Sequence, residues 1–337
     1  MADISIIGAG SWGVGLAVLL YKNGHSITMW SAIPAEVDML QKTREQKSMP
    51  GIKLAEEIRI TGDMKEAVDG ADLLVLAVPS VYTRETASRM SPYVHSGQKI
   101  VNVSKGIEEK TLYTLSEIIE EEISQADVAV LSGPSHAEEV SRGLPTTCVV
   151  GAHSKETAEY IQDLFMCNVF RVYISPDILG IELGGALKNV IALAAGIADG
   201  LGYGDNTKAA LITRGLTEIT RLGLAMGAKA ETLYGLSGIG DLIVTCASMH
   251  SRNRRAGILI GQGKSMDEAM EEVQMVVEGV YSAKAALALA KKYHVDMPII
   301  EQVNRVLFEG KSAADAVSNL MLRDKKLEHS ALPWNEP

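Results

Sequence analysis

The sequence is poor in cysteine and in aromatic residues. Its 337 residues include three cysteines, Cys148, Cys167 and Cys246, and this odd, widely spaced set indicates reduced thiols rather than a disulfide framework. No Cys-X-X-Cys pair or His/Cys cluster suggests a zinc site, so no metal is predicted. Aromatic residues make up 5% of the chain against 31 glycines, so we expect packing through small side chains and many backbone turns.

The chain also lacks an excess of positive charge and long apolar runs. It carries 32 Lys and Arg against 42 Asp and Glu, a net charge of −10, which argues against a nucleic-acid partner. If the ligand is anionic, the positive charge that binds it must be concentrated locally. The longest apolar runs fall short of the roughly 20 residues of a membrane helix, and no basic leader precedes Asp3–Ile7. A cytoplasmic protein without membrane insertion is therefore expected.

Short apolar strands alternate with helical stretches through the first half of the chain. Ile4–Ile7 is predicted as a buried strand, residues 8–13 as a turn and Val14–Lys22 as a helix. Further strands are predicted at residues 26–30, 71–79, 99–103, 128–131 and 170–174. Strands that alternate with helices form parallel crossover units, so the pattern predicts an α/β fold with a doubly wound, mostly parallel sheet.

Beyond Ser175 the pattern becomes almost entirely helical, to about Leu322. We therefore predict two domains, an α/β domain over residues 1–175 and an all-α domain over residues 176–337, as the chain length also suggests. Ala/Gly-rich stretches at residues 180–199 and 206–226 allow close helix packing and are compatible with a homodimer. The final segment, His329–Pro337, is predicted as a loose tail.

Gly8, Gly10 and Gly13 form a G-x-G-x-x-G motif between the first strand and the first helix. Such glycines let the backbone approach a pyrophosphate, so the motif predicts a dinucleotide-binding Rossmann domain, with a purely steric glycine turn as the alternative. Neither an acidic residue for the ribose of NAD nor an arginine for the phosphate of NADP is evident after the second strand, which ends Trp30-Ser31-Ala32-Ile33-Pro34. Ser31 could hydrogen-bond either cofactor, so the choice between NAD and NADP stays open.

Two loops follow predicted strands at the sheet edge where ligands bind in such folds. Lys105 lies in the first loop, Ser104-Lys105-Gly106, and residues 132–137 form the second. A lysine at a strand end is usually solvated, so location alone does not assign a function to Lys105. His136, in the second loop, is interpreted as structural rather than catalytic.

Lys188 lies in an almost wholly apolar helical stretch, residues 182–196, and is expected to be buried. A helical period places it on one face with Gly184, Gly185, Ala192 and Ala195, whose small side chains would leave room for a ligand beside the amine. A desolvated ammonium has a lowered pKa and suits general acid–base catalysis. The alternative is a lysine that extends along the helix surface into solvent.

Asp241 and Thr245 are four residues apart and would share one helix face in an apolar stretch. A buried carboxylate needs a partner, for which Lys188 is a candidate, although Asp241 could instead be a helix N-cap. Residues 251–255 contain three arginines in four positions at a predicted helix start. Guanidinium groups and free amides there could form a phosphate or carboxylate pocket, with a solvated basic helix face as the alternative.

Taken together, the motifs resemble those of the bacterial NAD(P)-dependent glycerol-3-phosphate dehydrogenase family over essentially the whole chain. The segments that carry the resemblance occur in the family's order and spacing: GAGSWG, VPS, SKGIE, LSGPSHAEEV, GGALKNVIALAAGIADGLGYGDNTKAALITRGL, LSGIGDLIVTC, SRNRR and VVEGVYSAK. The resemblance implies a Rossmann domain followed by a helical substrate domain. It also implies interconversion of dihydroxyacetone phosphate and sn-glycerol 3-phosphate for phospholipid synthesis.

The resemblance further implies roles for individual residues. NAD or NADP is expected to contact Gly8, Gly10, Ser11, Trp12, Gly13, Ser31, Lys105, Ala137, Arg252, Val276 and Glu278. The small phosphorylated substrate is expected to contact Lys105, Gly133, Ser135, Lys188, Asp241, Ser251, Arg252 and Asn253, with Arg252 on its phosphate. Lys188 is expected to transfer the proton, assisted by Lys105, Asp241, Asn189 and Thr245.

The chain departs from the family pattern at five residues in three places. Val14-Gly15 stands where Thr-Ala is common, which we interpret as a packing variation, and Ala32-Ile33 stands where a basic residue is frequent, which leaves the cofactor preference open. His136 stands where an aromatic residue is expected. Two other functions remain as alternatives at this stage: a related dehydrogenase acting on a hydroxy acid or sugar acid, and a non-catalytic NAD(P)H sensor.

Overall fold

An eight-stranded sheet organises the first half of the protein, in a computed structural model that describes residues 1–325 and 327–328. The predicted tail, His329–Pro337, lies outside the described residues. The strands are β1 (Asp3–Ile7), β2 (Ser26–Trp30), β3 (Arg59–Thr61), β4 (Leu73–Leu76), β5 (Lys99–Asn102), β6 (Asp127–Ser132), β7 (Thr146–Ala152) and β8 (Phe170–Ser175). Their order in the sheet is β3-β2-β1-β4-β5-β6-β7-β8, and every pair is parallel except β6 and β7.

Helices cover both faces of this sheet. They are α1 (Ser11–Lys22), α2 (Pro34–Thr43), α3 (Met64–Val68), α4 (Thr83–Met90), α5 (Leu115–Glu122), α6 (Ala137–Ser141) and α7 (Lys155–Phe165). Apolar side chains of α1, α6 and α7 form the core on one face, and those of α3, α4 and α5 form the core on the other. The predicted doubly wound, mostly parallel α/β fold is therefore confirmed.

The structure differs from the predicted elements mainly at short or weakly patterned segments. The first helix begins at Ser11 rather than Val14, because Val14 already donates its amide hydrogen to the Gly10 carbonyl oxygen at 2.9 Å. Two strands were not predicted. β3 has only three residues, and β7 reads TTCVVGA without a clear apolar alternation.

Helices follow β8 through the rest of the described chain. They are α8 (Ile178–Gly200), α9 (Asp205–Met226), α10 (Ala230–Leu233), α11 (Asp241–Ala247), α12 (Arg252–Gly261), α13 (Met266–Val273), α14 (Glu278–Lys292), α15 (Pro298–Phe308) and α16 (Ala313–Met321), with a short π-helical turn over Leu236–Gly240. α8 is long and apolar enough to cross a membrane, yet 94% of its most apolar window is buried inside the protein. It is the central helix of the second core.

Glu182, near the start of α8, connects the helical half to the sheet half. Its carboxylate accepts hydrogen bonds from the Ser116 amide at 2.9 Å and the Ser116 hydroxyl at 2.5 Å, at the first turn of α5. Burial raises the pKa of Glu182 to about 7, against the opposing effect of these hydrogen bonds. The contact fixes the start of α8 next to the carboxyl ends of the strands.

α8 and α12 pack backbone against backbone through four glycines. A Cβ atom on Gly196 would lie 2.2 Å from the Arg254 carbonyl oxygen, and one on Gly257 would lie 2.2 Å from the Leu193 carbonyl oxygen. Gly200 and Gly261 make equivalent contacts one turn further on. This close approach uses the small-residue face of α8 within the chain, so that face gives no support for a homodimer. It also sets the position of the first turn of α12 beside α8.

Replacement of Gly257 by alanine is expected to destabilise the protein. The new methyl group cannot avoid the Leu193 carbonyl oxygen unless the two helices separate, which we expect to cost about 3 kcal/mol and to lower Tm by roughly 5–10 °C. Differential scanning calorimetry would measure the change. Gly204→Ser is the matched control, because nothing lies within 4 Å of a Cβ on Gly204 and serine is a favourable N-cap for α9. Equal Tm values for Gly257→Ala and the control would contradict the packing argument.

Candidate active site

The glycine turn lies where β1 ends and α1 begins, and its geometry fits a dinucleotide. Gly8 has φ +124°, and a Cβ there would lie 2.7 Å from the Ala77 carbonyl oxygen. A Cβ on Gly13 would lie 2.0 Å from the Gly8 carbonyl oxygen, so Gly13 permits the close turn. Gly10 has nothing within 4 Å of its Cβ position, which leaves the backbone open to a phosphate at the helix N-terminus. A purely steric turn would not require this open face.

Residues around the turn have contacts of their own. The Ser11 hydroxyl donates to the Ser48 hydroxyl at 2.7 Å, and Trp12 packs against the core beneath α1. Ala137 starts α6 and lies against Gly15 of α1, where a Cβ would come 3.3 Å from the Ala137 carbonyl oxygen. A small residue at position 15 therefore accommodates the contact between α1 and α6.

A carboxylate between two ammonium groups forms the centre of the site. Lys105 follows β5, Lys188 lies on α8 and Asp241 begins α11. The Lys188 amine donates to Asp241 Oδ1 at 2.7 Å, and the Lys105 amine donates to Asp241 Oδ2 at 2.5 Å. Asp241 and Lys188 are both buried. The cluster carries one net positive charge, which suits an oxygen that becomes negative during a reaction.

The electrostatics of this cluster tune Lys188 for proton transfer. Burial, opposed by the charge of Asp241 and assisted by that of Lys105, lowers the pKa of Lys188 to about 8. Burial alone would raise the pKa of Asp241, but the charges of the two lysines outweigh it, so the pKa lies below its usual value. Asp241 is therefore a carboxylate at neutral pH, while Lys188 can gain or lose a proton in that range.

Thr245 orients Lys188 from one helical turn beyond Asp241. Its hydroxyl donates to the Asp241 carbonyl oxygen at 2.6 Å and accepts from the Lys188 amine at 2.6 Å. The predicted common face of Asp241 and Thr245, and the pairing of Asp241 with Lys188, are thus present in the structure. The two alternatives are wrong: Asp241 makes no side-chain capping bond, and the Lys188 amine does not extend into solvent.

Gly184 and Gly185, which precede Lys188 on the same face of α8, lie close to neighbouring elements. A Cβ on Gly184 would lie 2.8 Å from the Ser237 carbonyl oxygen, and one on Gly185 would lie 3.1 Å from the Ser132 hydroxyl. Space for a ligand is thus absent at the Cβ positions of these two glycines, because a helical period gives the face but not the neighbour that packs on it, whereas Gly185 and Lys105 still line a small cavity. The two glycines bring α8 close to the π-helical turn and to β6.

The loop after β6 faces the same cluster. The Gly133 carbonyl oxygen accepts from the Lys105 amine at 3.1 Å and from the Ser135 hydroxyl at 2.9 Å. Gly133 has φ +145°, which a side chain rarely adopts. This loop therefore gives the Lys105 amine a second acceptor in addition to Asp241.

The His136 ring lies beside that of His250, with centroids 5.7 Å apart and planes inclined by 56°, and its buried Nε2 has no hydrogen-bond partner among the described residues. Burial, assisted by the charge of Lys188, lowers the pKa of His136, so the ring is neutral at neutral pH. The sequence interpretation did not identify His250, which is distant in the chain.

An amide chain links α8 to the start of α12 and α14. Asn253 donates to Asn189 Oδ1 at 2.9 Å and accepts from the Gly279 amide at 2.8 Å. Ser251 caps α12 by accepting from the Arg254 amide at 3.2 Å. These bonds hold the residues before and after Arg252 in place.

The arginines of the basic cluster have different roles. Arg254 is structural, because its guanidinium group pairs with Asp199 at 2.8 Å and donates to the Ala247 carbonyl oxygen. Arg252 forms no ion pair within 4 Å and no hydrogen bond through its side chain to the described residues. Burial lowers its pKa, against the attraction of the Glu278 carboxylate. The solvated-face alternative is thus wrong for Arg252 and Arg254, and Arg252 is a largely buried guanidinium group that is available for an anion.

Glu278 joins the two halves across the cleft. Its carboxylate accepts from the Ser80 amide at 3.0 Å and from the Ser80 hydroxyl. Burial raises the pKa of Glu278, opposed by those bonds and by Arg252. Val276, two residues earlier, is half-buried. Ser80 was given no role from the sequence, although it ends the VPS segment that follows β4 after one further residue, Ala77.

Ser31 lies at the carboxyl end of β2 and hydrogen-bonds Glu36 of α2 at 2.5 Å. Glu36 was not identified from the sequence because it comes five residues after Ser31, beyond the position where an acidic residue was sought. The structure thus places the Glu36 carboxylate, an acidic group that the sequence pattern did not indicate, at the end of β2.

Comparison with known proteins gives one consistent result. Residues 3–158 match the N-terminal part, and residues 177–318 the C-terminal part, of the family described as NAD-dependent glycerol-3-phosphate dehydrogenase. The chain is 66% identical to a glycerol-3-phosphate dehydrogenase [NAD(P)+] from Agathobacter rectalis, over 99% of this chain and 100% of the relative. It is 63% identical to the enzyme of that name from Fusobacterium nucleatum, over 97% and 99%. A crystal structure of glycerol-3-phosphate dehydrogenase from Coxiella burnetii superposes with TM-score 0.93 at 38% identity, covering 96% of this chain and 99% of that one.

Proposed function

The chain belongs to the NAD-dependent glycerol-3-phosphate dehydrogenase family, and on that basis we propose that its cleft interconverts dihydroxyacetone phosphate and sn-glycerol 3-phosphate with NAD(H) or NADP(H). The observation that carries the proposal is the cluster of Lys105, Asp241 and Lys188, in which Asp241 and Lys188 are buried and Lys105 is half-buried. A proton donor and a free guanidinium group are what a phosphorylated ketone requires.

In this mechanism Lys188 protonates the carbonyl oxygen of dihydroxyacetone phosphate, and in the reverse direction its neutral amine accepts the hydroxyl proton of glycerol phosphate. Reduced nicotinamide supplies the hydride to the carbonyl carbon when bound. Lys105 lies on the opposite side of Asp241 and stabilises the oxygen as negative charge develops. Asp241 and Thr245 hold the Lys188 amine in position.

Arg252 binds the substrate phosphate in this proposal. A planar guanidinium group can form two parallel bonds to phosphate, and Ser251 and Asn253 lie on either side of it in the chain. Gly133 and Ser135 complete the substrate pocket beside Lys105, and Asn189 orients the reacting oxygen. The binding energy of the contact between Arg252 and the phosphate then holds the carbonyl, at the other end of the substrate, in the reactive geometry.

The cofactor would lie along the glycine turn. Gly8, Gly10, Ser11, Trp12 and Gly13 would hold its pyrophosphate, with Ser31 near the adenosine ribose. The nicotinamide end would lie near Lys105, Ala137, Arg252, Val276 and Glu278. The open backbone face at Gly10 supports this placement.

Residues 1–175 would bind the dinucleotide, and residues 176–337 would bind the substrate. The last strand of the sheet, β8, ends at Ser175, and the first helix of the helical half, α8, begins at Ile178, which supports this division. We place the enzyme in the cytoplasm, supplying glycerol phosphate for phospholipid synthesis, in keeping with its three free cysteines. A homodimer belongs to the same proposal, through the exposed start of α9 around Ala209 and Ala210.

Oxidation of NADH or NADPH on addition of dihydroxyacetone phosphate, followed at 340 nm, tests the proposed activity directly. Dihydroxyacetone, glyceraldehyde 3-phosphate and a 2-keto acid serve as comparison substrates. Absorbance loss with dihydroxyacetone phosphate well above the others is expected. Cofactor binding without turnover of any substrate would instead indicate a sensor, and preference for the keto acid would indicate a hydroxy-acid dehydrogenase.

The pH dependence of the two directions is expected to be opposite. Reduction requires the Lys188 ammonium, whose pKa is about 8, so kcat/KM for dihydroxyacetone phosphate should fall tenfold per pH unit above that value. Oxidation of glycerol phosphate requires the neutral amine and should rise through the same range. Thr245→Val removes an acceptor from the ammonium, so both profiles should shift to lower pH. Profiles that do not move in Thr245→Val would contradict the assignment of the titration to Lys188.

A further inference from the structure

An acidic side chain occupies the end of β2, next to the glycine turn. Ser31 directly follows the last residue of β2, and Glu36 lies in the first turn of α2. The Ser31 hydroxyl donates to Glu36 Oε2 at 2.5 Å and accepts from the Ile33 amide at 3.1 Å. The carboxylate is thereby fixed beside the strand end, although it is five residues away from Ser31 in sequence.

Gln46 ties this carboxylate to the glycine turn. Its side-chain amide donates to the Ala9 carbonyl oxygen at 2.6 Å and to Glu36 Oε1 at 2.7 Å, and Gln46 is buried. A single amide group therefore separates the Glu36 carboxylate from the middle of the G-x-G-x-x-G motif. In a Rossmann domain the adenosine ribose lies between this turn and the end of the second strand.

The charge at this position is negative and unbalanced. Within residues 1–325, no lysine or arginine lies within 4 Å of the Glu36 carboxylate. Ala32 and Ile33, which stand at the strand end, are exposed and carry no charge. A carboxylate has about four acceptor positions, of which Ser31 and Gln46 use two, so it can still accept a hydrogen bond from a ribose hydroxyl.

We propose that Glu36 accepts a hydrogen bond from the adenosine ribose and makes this enzyme selective for NAD(H) over NADP(H). The proposal rests on the proposed function, because it requires a dinucleotide on the glycine turn. NADP carries a phosphate on the ribose 2′-oxygen, which cannot donate a hydrogen bond and would face the carboxylate with like charge. Ser31 and Gln46 prevent Glu36 from turning away, and thereby act as positioning residues for selectivity.

Binding in the absence of substrate tests the selectivity independently of turnover. Isothermal titration calorimetry would give Kd for NADH and for NADPH with the wild-type protein, Glu36→Gln and Glu36→Ser. The wild-type Kd for NADPH is expected to exceed that for NADH by about tenfold or more, and the ratio should fall by about tenfold in each variant. Asp38→Asn is the matched control, because it removes the same charge from an exposed position of α2 and should leave the ratio unchanged.

Each outcome separates the two hypotheses. A wild-type protein that binds NADPH as tightly as NADH overturns the selectivity, and so does an unchanged ratio in whichever Glu36 variant remains folded by circular dichroism. An equal drop in the ratio with Asp38→Asn would show a general charge effect and would also overturn the role of Glu36. A wild-type protein that binds neither dinucleotide would instead contradict the proposed function itself.

Discussion

Lys188→Met is expected to lower kcat for reduction of dihydroxyacetone phosphate by about a thousandfold or more, while the Kd for NADH stays within about threefold. The methionine fills a volume similar to that of the lysine stem in α8, but it cannot donate a proton. Asp241 retains its bond to Lys105, so no buried carboxylate is left without a partner. Stopped-flow measurement of the 340 nm signal would separate the hydride step from product release.

Lys188→Arg separates positive charge from proton transfer. Arginine keeps a cation next to Asp241, but it remains protonated throughout the neutral range and is a poor acid. We therefore expect Lys188→Arg to be nearly as inactive as Lys188→Met, with a Tm within a few degrees of the wild type. The exposed Lys155→Met is the control for loss of a lysine and should be fully active. Substantial activity in Lys188→Arg would show that charge, rather than proton transfer, is the contribution of this residue.

Arg252→Ala is expected to raise KM for dihydroxyacetone phosphate by about a hundredfold or more, because two charge-assisted hydrogen bonds to phosphate are lost. Arg252→Lys should give an intermediate value, since an ammonium keeps the charge but not the planar pair of donors. Arg255→Ala is the matched control within the same cluster. Its effect on KM is expected to stay within about threefold, because it removes a neighbouring charge outside the proposed phosphate contact.

The substrate without its phosphate provides a second test of Arg252. Wild type and Arg252→Ala should have similar kcat/KM for dihydroxyacetone, because neither protein can then use the phosphate contact. The loss caused by the substitution should therefore appear only with the phosphorylated ketone. If Arg252→Ala lowers kcat/KM equally for both ketones, the arginine supports the structure of the cleft rather than the phosphate.

Several features of the site were predictable because they depend on short sequence separations. Gly8, Gly10 and Gly13 have fixed places between a strand and a helix, so their pattern alone indicates the turn. Asp241 and Thr245 share a face because they are four residues apart on a helix, and the apolar surroundings of Lys188 indicated its burial. The pairing of Lys188 with Asp241 also followed, because two buried opposite charges require each other.

Other features of the site depended on contacts between helices and strands that are distant in the sequence. The sequence pattern could not assign different roles to Arg252 and Arg254. The two differ because Asp199, on α8, forms an ion pair with Arg254. The bond from Ser80 to Glu278 spans 198 positions, and neither residue has a local signal for the other. Lys105 was equally ambiguous, because its function depends on a carboxylate supplied from α11.

Strand and helix periodicities and the positions of glycine are properties of neighbouring residues, so the sequence alone was enough to predict most of the sheet with its glycine turn, the helical second half and the buried amine. Contacts between distant elements were needed to show that Gly184 and Gly185 pack on protein, that Asp241 lies between two lysines and that Gln46 links Glu36 to the glycine turn. Those outcomes depend on the distances between elements, which packing and loop geometry fix together. No local pattern contains that information.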